Sequence, residues 1–222
     1  MGERGDLELA LNALRDPDSA VRRNAVDALA AMEPRDVERH LILALSDEDK
    51  DVRMAAVSSL GKMKSKEALK PLVSLLQDED IWVKSAAIRA IAAIASDNSA
   101  SHIATLLDDG VGLIVITALE ALGMLADPAY APEMMMKLDS SDNEIVKTAV
   151  ESLSFWDNEK YNARLVSLLD HDSWEVRAAA ARVMGRKNLP GGDGLLRGRL
   201  DSEENMLVQA AIEEALQYKQ NS

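Results

Sequence analysis

The chain has no cysteine among its 222 residues. That removes disulfides, thiolate metal ligands and cysteine nucleophiles. Aromatic residues amount to 3%, as three Trp, three Tyr and one Phe, so a core must be built from Ala, Leu, Val, Ile and Met, which suits close helix packing. Basic residues are few beside acidic ones, 25 against 38, for a formal charge of −13. Such a chain repels phosphate backbones and anionic lipid, so no nucleic acid and no membrane is expected as a partner. Long apolar runs are missing too. The longest, Val111 to Ala126, contains Glu120 and is too short to span a bilayer. The opening MGERGDLELALNALRD puts acidic residues where a signal peptide needs an apolar stretch, and Asp6 stands where myristoylation wants Ser or Thr. A soluble, cytoplasmic protein is the expectation.

What the chain does have is a period. An aliphatic anchor recurs every 31 residues, at Val21, Val52, Val83, Ile114, Ile145, Val176 and Leu207. Four residues after each comes a small one: Ala25, Ala56, Ala87, Ala118, Ala149, Ala180 and Ala211. A constant period signifies stacked copies of one supersecondary unit, not a globule around one cleft. The copies fall at about 3–33, 34–64, 65–95, 96–126, 127–157, 158–188 and 189–222 within a single domain, 1–222.

Each copy reads as two helices. In the second helix of the second copy, Val52, Ala56, Val57, Leu60 and Met63 share one face, opposite Met54, Ala55, Ser58 and Lys62. In the first copy Val21, Ala25, Val26, Ala28, Leu29 and Met32 face inward. The first helices are the Leu-rich stretches ahead of these, and Met134, Met135 and Met136 are expected as core filler of one of them. Between the two helices lies an acidic turn, such as Asp47-Glu48-Asp49 or Asp78-Glu79-Asp80. Carboxylates there cap the next helix and meet its positive dipole end, each worth roughly 0.5–2 kcal/mol. Much of the negative charge is thereby assigned to helix starts.

The run DEDKDVRMAAVSSLGKM, with its copies DPDSAVRRNAVDALAAM and HDSWEVRAAAARVMG, resembles HEAT repeats, in particular the short kind found in phycobilin lyase subunits. The resemblance covers nearly the whole chain. It implies an all-α fold, a right-handed α-solenoid of seven two-helix repeats whose second helices line a concave surface. It also implies a ladder along the stack, here Asp16, Asp47, Asp78 and Asp109 with Arg22, Arg53, Lys84 and Arg177, interrupted where Val115, Val146 and Val208 replace the basic residue.

Catalytic and cofactor signals are weak. None of His40, His102 and His171 has a metal-ligand spacing to another, and none precedes Glu as in the iron-binding hydroxylases of this repeat type. Asp47 to Asp51 lacks the Gly and closing Glu of a calcium loop. The stretch Leu189 to Gly194 lacks the Lys of a phosphate loop and reads as the entry to the last copy's first helix. No catalytic residue, metal or cofactor is expected.

Groove positions on the second helices lie just before each anchor and two, three, six and ten residues after it. In copies one and two they carry an ordinary polar set. From copy three to copy six they carry Trp82, Arg89, Leu113, Ile116, Met124, Phe155, Trp174, Arg182 and Arg186. Two of three Trp and the single Phe thus fall on one face. There four basic residues (Arg89, Lys147, Arg182, Arg186) balance four acidic ones (Glu120, Glu144, Glu151, Glu175), which fits a protein or peptide ligand better than a polyanion. The competing structural role is packing over a neighbouring repeat, and Trp156 is expected to plug the stack. The expectation is a monomeric, non-catalytic scaffold or adaptor binding a protein segment on its concave face. The alternatives are a phycobilin-lyase-like enzyme subunit or a nucleic-acid-processing protein.

Overall fold

The computed structural model describes residues 2–95 and 98–218. The expected repeat boundary at residue 96 and the last four residues of the seventh copy lie outside that range. All regular structure among the described residues is helical. The chain divides into two compact units, Met1–Ile103 and Ala104–Ser222.

The first unit holds α1 (Gly2–Ala13), α2 (Ser19–Ala30), α3 (Pro34–Ala44), α4 (Lys50–Met63), α5 (Leu69–Ser74), α6 (Ile81–Ile94) and most of α7 (Ser99–Ala104). Helix α4 packs between α2 and α6, while α3 and α5 lie against this row. The periodic apolar positions form the seam: Val26, Leu29, Val52, Ala56, Val57, Leu60, Val83, Ala87 and Ile88 are buried. Ala28 is the exception and is exposed. Asp18, Asp49 and Asp80 are the N-caps of α2, α4 and α6, each accepting the N–H two residues on. Pro71 sits in the first turn of α5, where a missing N–H is harmless.

The second unit holds α8 (Gly112–Leu125), α9 (Ala131–Met136), α10 (Asn143–Ser152), α11 (Glu159–Ser167), α12 (Trp174–Lys187), α13 (Gly192–Ser202) and α14 (Met206–Tyr218). Here α10 packs between α8 and α12, and α12 against α14. Of the three adjacent methionines only Met134 is core; Met136 is exposed, because a helix cannot turn three consecutive side chains inward.

The seventh copy departs from the expected register. The Asn205 side chain accepts the N–H groups of Leu207 and Val208, as Asp49 does for Asp51 and Val52. One extra residue therefore precedes α14. Val208 is the buried anchor, and Leu207 is 57% exposed. The position of the ladder Arg passes to Gln209, whose amide donates to the Glu203 carbonyl.

The ladder itself is more regular than its sequence. Asp16, Asp47, Asp78, Asp109, Ser140, His171 and Glu203 each accept, on a side-chain atom, the N–H two residues further on, at 2.8–3.1 Å. So the acceptors of the fifth and sixth turns are Ser140 and His171, not the flanking aspartates. Arg22 grips Asp47 through two N–H donors and gives a third to the carbonyls of Asp16 and Pro17. Arg53 does the same with Asp78, Asp47 and Glu48, and Arg177 with Glu203, His171 and Asp172. Where Val115 and Val146 replace the Arg, the next turn offers Ser140 and His171 instead of a carboxylate. Arm and acceptor are lost together, so at these two turns neither an Arg nor a ladder carboxylate is left without its partner.

Three glycines lie at close helix–helix contacts. A Cβ on Gly61 would lie 3.0 Å from Ala90 Cβ, on Gly123 2.9 Å from Ser152 Cα, and on Gly185 2.6 Å from Ala215 Cβ. The three stand two repeats apart, one each in the pairs α4–α6, α8–α10 and α12–α14.

Candidate partner-binding site

In the first unit α2, α4 and α6 enclose a recess of about 940 Å³. Its lining combines small residues, Ala30, Ala31, Ala55 and Ala86, with Arg23, Asp27, Asp51, Met54, Ser58, Lys62, Trp82 and Arg89. The Asp80 cap starts α6 so that Val83 turns into the seam. Trp82, one residue earlier, is then rotated about 100° away and stands 56% exposed. Arg89 follows two turns later on the same face. The rim has three basic side chains against two acidic ones, in a molecule of charge −13.

The second unit has a smaller recess of about 260 Å³ against α10, α12 and α14, lined by Lys147, Glu151, Trp174, Glu175, Ala178, Arg182 and Leu207. Trp174 is 37% exposed. Its charges are already engaged: Lys147 with Glu144 at 2.7 Å, Arg182 with Glu214 at 3.5 Å. The Ser173 hydroxyl donates to Glu175 and holds that carboxyl below its ordinary range. Phe155 and Arg186 line a third recess, with Ser154, Asp157 and Lys187.

The sequence-derived site residues are therefore distributed. Trp82 and Arg89 share one recess, Trp174 and Arg182 another, Phe155 and Arg186 a third. Leu113, Ile116 and Met124 lie on α8 and line none of these three; Leu113 and Ile116 are half-buried, and Met124 is exposed. The recess of about 940 Å³ draws on the first two copies, whose polar set looked ordinary in sequence, as well as on the third. The available signal was that the preceding copies place Arg23, Met54 and Lys62 at other groove positions of the same face as Trp82.

Trp156 has a structural role. Its ring lies 6.2 Å from that of Tyr161, whose buried hydroxyl donates to the Val150 carbonyl at 2.8 Å. Lys187 stands 5.5 Å over the Tyr161 ring and donates to the Trp156 carbonyl at 2.8 Å. Burial pushes the Tyr161 hydroxyl up and the Lys187 ammonium down from their ordinary values.

Rows of antiparallel helix pairs with an open second-helix face define an all-α repeat architecture of the solenoid class, a fold suited to protein interaction. The family model of HEAT repeats matches residues 7–92, 69–154 and 132–217, and the chain belongs to the HEAT repeat family. No curated protein matches it. It is similar in structure to the CpcE–CpcF complex of phycocyanin lyase from Nostoc sp. PCC7120, at 20% identity and a TM-score of 0.58, over 95% of this chain and 93% of that one. It is also similar to YibA of Escherichia coli, at 17% identity and a TM-score of 0.61, over 98% and 97%. A designed armadillo repeat protein in complex with the peptide (KR)4 shares 20% identity and a TM-score of 0.50, over 96% and 98%. Among the described residues no helix is long and apolar enough to cross a membrane.

Proposed function

We propose that the chain is a monomeric, non-catalytic scaffold or adaptor that holds a protein or peptide segment against the faces of its second helices. The observation that carries this reading is Trp82, more than half exposed in a recess whose lining includes four alanines. Trp and Arg in such settings supply most of the binding energy of interfaces. Helices locked in a row also present them already ordered, which lowers the entropy cost of association. The same logic extends to Trp174 with Arg182, and to Phe155 with Arg186, as secondary contacts; Leu113, Ile116 and Met124 offer apolar surface on α8. The peptide-bound armadillo protein supports the reading as an example of this fold used for peptide binding. Likeness to a lyase subunit at 20% identity carries the architecture alone.

The test is affinity for a peptide selected on the intact chain. Trp82→Ala is expected to weaken it by about 2 kcal/mol, near thirtyfold, with the helical circular dichroism unchanged because the side chain is exposed. Undiminished binding by both Trp82→Ala and Trp174→Ala would overturn the assignment.

A further inference from the structure

The recess of α2, α4 and α6 has a polarity of its own. Asp51 lies in the first turn of α4 and Lys62 in its last, so the Asp51 carboxylate is set away from Lys62, while Asp27 stands on α2 at the level of Arg89 on α6. Among the described residues Arg23, Lys62 and Arg89 make no salt bridge. Arg22, Arg53 and Lys50, the cations beside the turns of the same unit, are by contrast committed to Asp47, Asp78 and Asp80. The unpaired rim cations are thus available to a ligand. They give the recess a net positive lining in an acidic protein.

We propose that this recess takes an extended acidic segment of a partner protein, with a carboxylate between Lys62 and Arg89 and an apolar side chain on Trp82. The proposal rests on the protein-binding reading above and adds the chemistry of the partner. Charge complementarity selects the occupant. The molecule's overall −13 repels an acidic chain at long range, so only a local positive lining retains one, and the recess supplies it. The guanidinium of Arg89 presents a planar fork suited to a carboxylate, and Lys62 a point charge beside it. Spacing defines the segment further. Trp82 and Arg89 are seven residues apart on α6, a rise of about 10 Å, which about three residues of extended chain span. The ligand pattern is an Asp or Glu some three residues from a Leu, Phe or Trp. The four small alanines in the lining leave room for its backbone.

The experiment is panning of a random twelve-residue peptide display library on the intact chain and on Lys62→Glu/Arg89→Glu, followed by fluorescence anisotropy of the enriched peptides. The intact chain is expected to enrich peptides of that pattern. The double variant should bind them at least about tenfold more weakly and should itself enrich Lys- and Arg-bearing peptides. Affinity for the acidic peptides should fall as salt is raised. Enriched peptides that are neutral or basic, or acidic ones that bind the double variant equally well, overturn the acidic-segment proposal while leaving peptide binding standing. Enrichment of no peptide overturns both. Both substituted residues are exposed, and an unchanged circular dichroism melt confirms that the variant is folded.

Discussion

At the scale of single residues, the turn positions show how different side chains do one job. What each turn needs is a lone pair two residues ahead of an N–H, and Asp16 supplies it with a carboxylate. Ser140 supplies it with a hydroxyl, His171 with Nδ1 and Glu203 with a longer carboxylate. Only geometry reveals the equivalence, since an acidic residue lies beside each: Asp139 and Asp170 point elsewhere, to Arg164 and Arg199. The seventh anchor was illegible for a related reason. Leu207 and Val208 are both aliphatic, and both are followed four residues later by an apolar residue, so hydrophobic pattern alone does not choose between them. The cap chooses, and Asn205 makes it. Asn205→Ala is expected to cost about 1 kcal/mol in urea-unfolding free energy. Glu204→Ala, at the position that the strict period would make the cap, should change stability by less than about 0.5 kcal/mol.

At the scale of elements, apolar periodicity located the helix pairs well, because the repeat averages away local exceptions such as Ala28. The close seams were invisible, since a glycine inside a helix reads only as a weak residue until its neighbour is known. Two substitutions separate the effects. Gly198, inside α13, has nothing within 4 Å of an added Cβ, so Gly198→Ala should stabilise by roughly 0.5–1 kcal/mol through helix propensity. At Gly185 the added Cβ would lie 2.7 Å from the Ala215 Cα. Backbone cannot swing aside, and Gly185→Ala should destabilise by about 1–3 kcal/mol despite the same propensity gain. Opposite shifts of the thermal midpoint would establish both. The candidate site was legible in part for the same reason: Trp82 and Trp174 stood out as rare residues on the predicted face, but the recess at Trp82 is also lined by small residues, and Ala30, Ala55 and Ala86 look like any helix alanine.

At the scale of the whole molecule, the negative charge is largely structural, and its pH dependence follows. Arg177 and Arg199 hold the Glu203 carboxyl at about 2, against an ordinary 4.5. Asp47, Asp49 and Asp80 are also held low, by Arg22 and Lys50 and by the N–H groups they cap. A carboxyl whose pKa falls on folding binds fewer protons folded than unfolded, so its contribution is complete above the unfolded value and is lost as pH drops toward the folded one. Urea midpoints should therefore hold steady near neutrality and fall between about pH 4.5 and 2. Glu203→Gln should lower the neutral midpoint and flatten that acid limb; an unchanged limb would mean that the Arg177 arm contributes nothing. The glycine positions carry a longer period as well. Gly61, Gly123 and Gly185 mark every second repeat, so the close approaches recur with a period of two hairpins, not one. Lengthening or shortening the chain by one hairpin would set a side chain against a seam that has room for none, so the chain is best edited in pairs of hairpins.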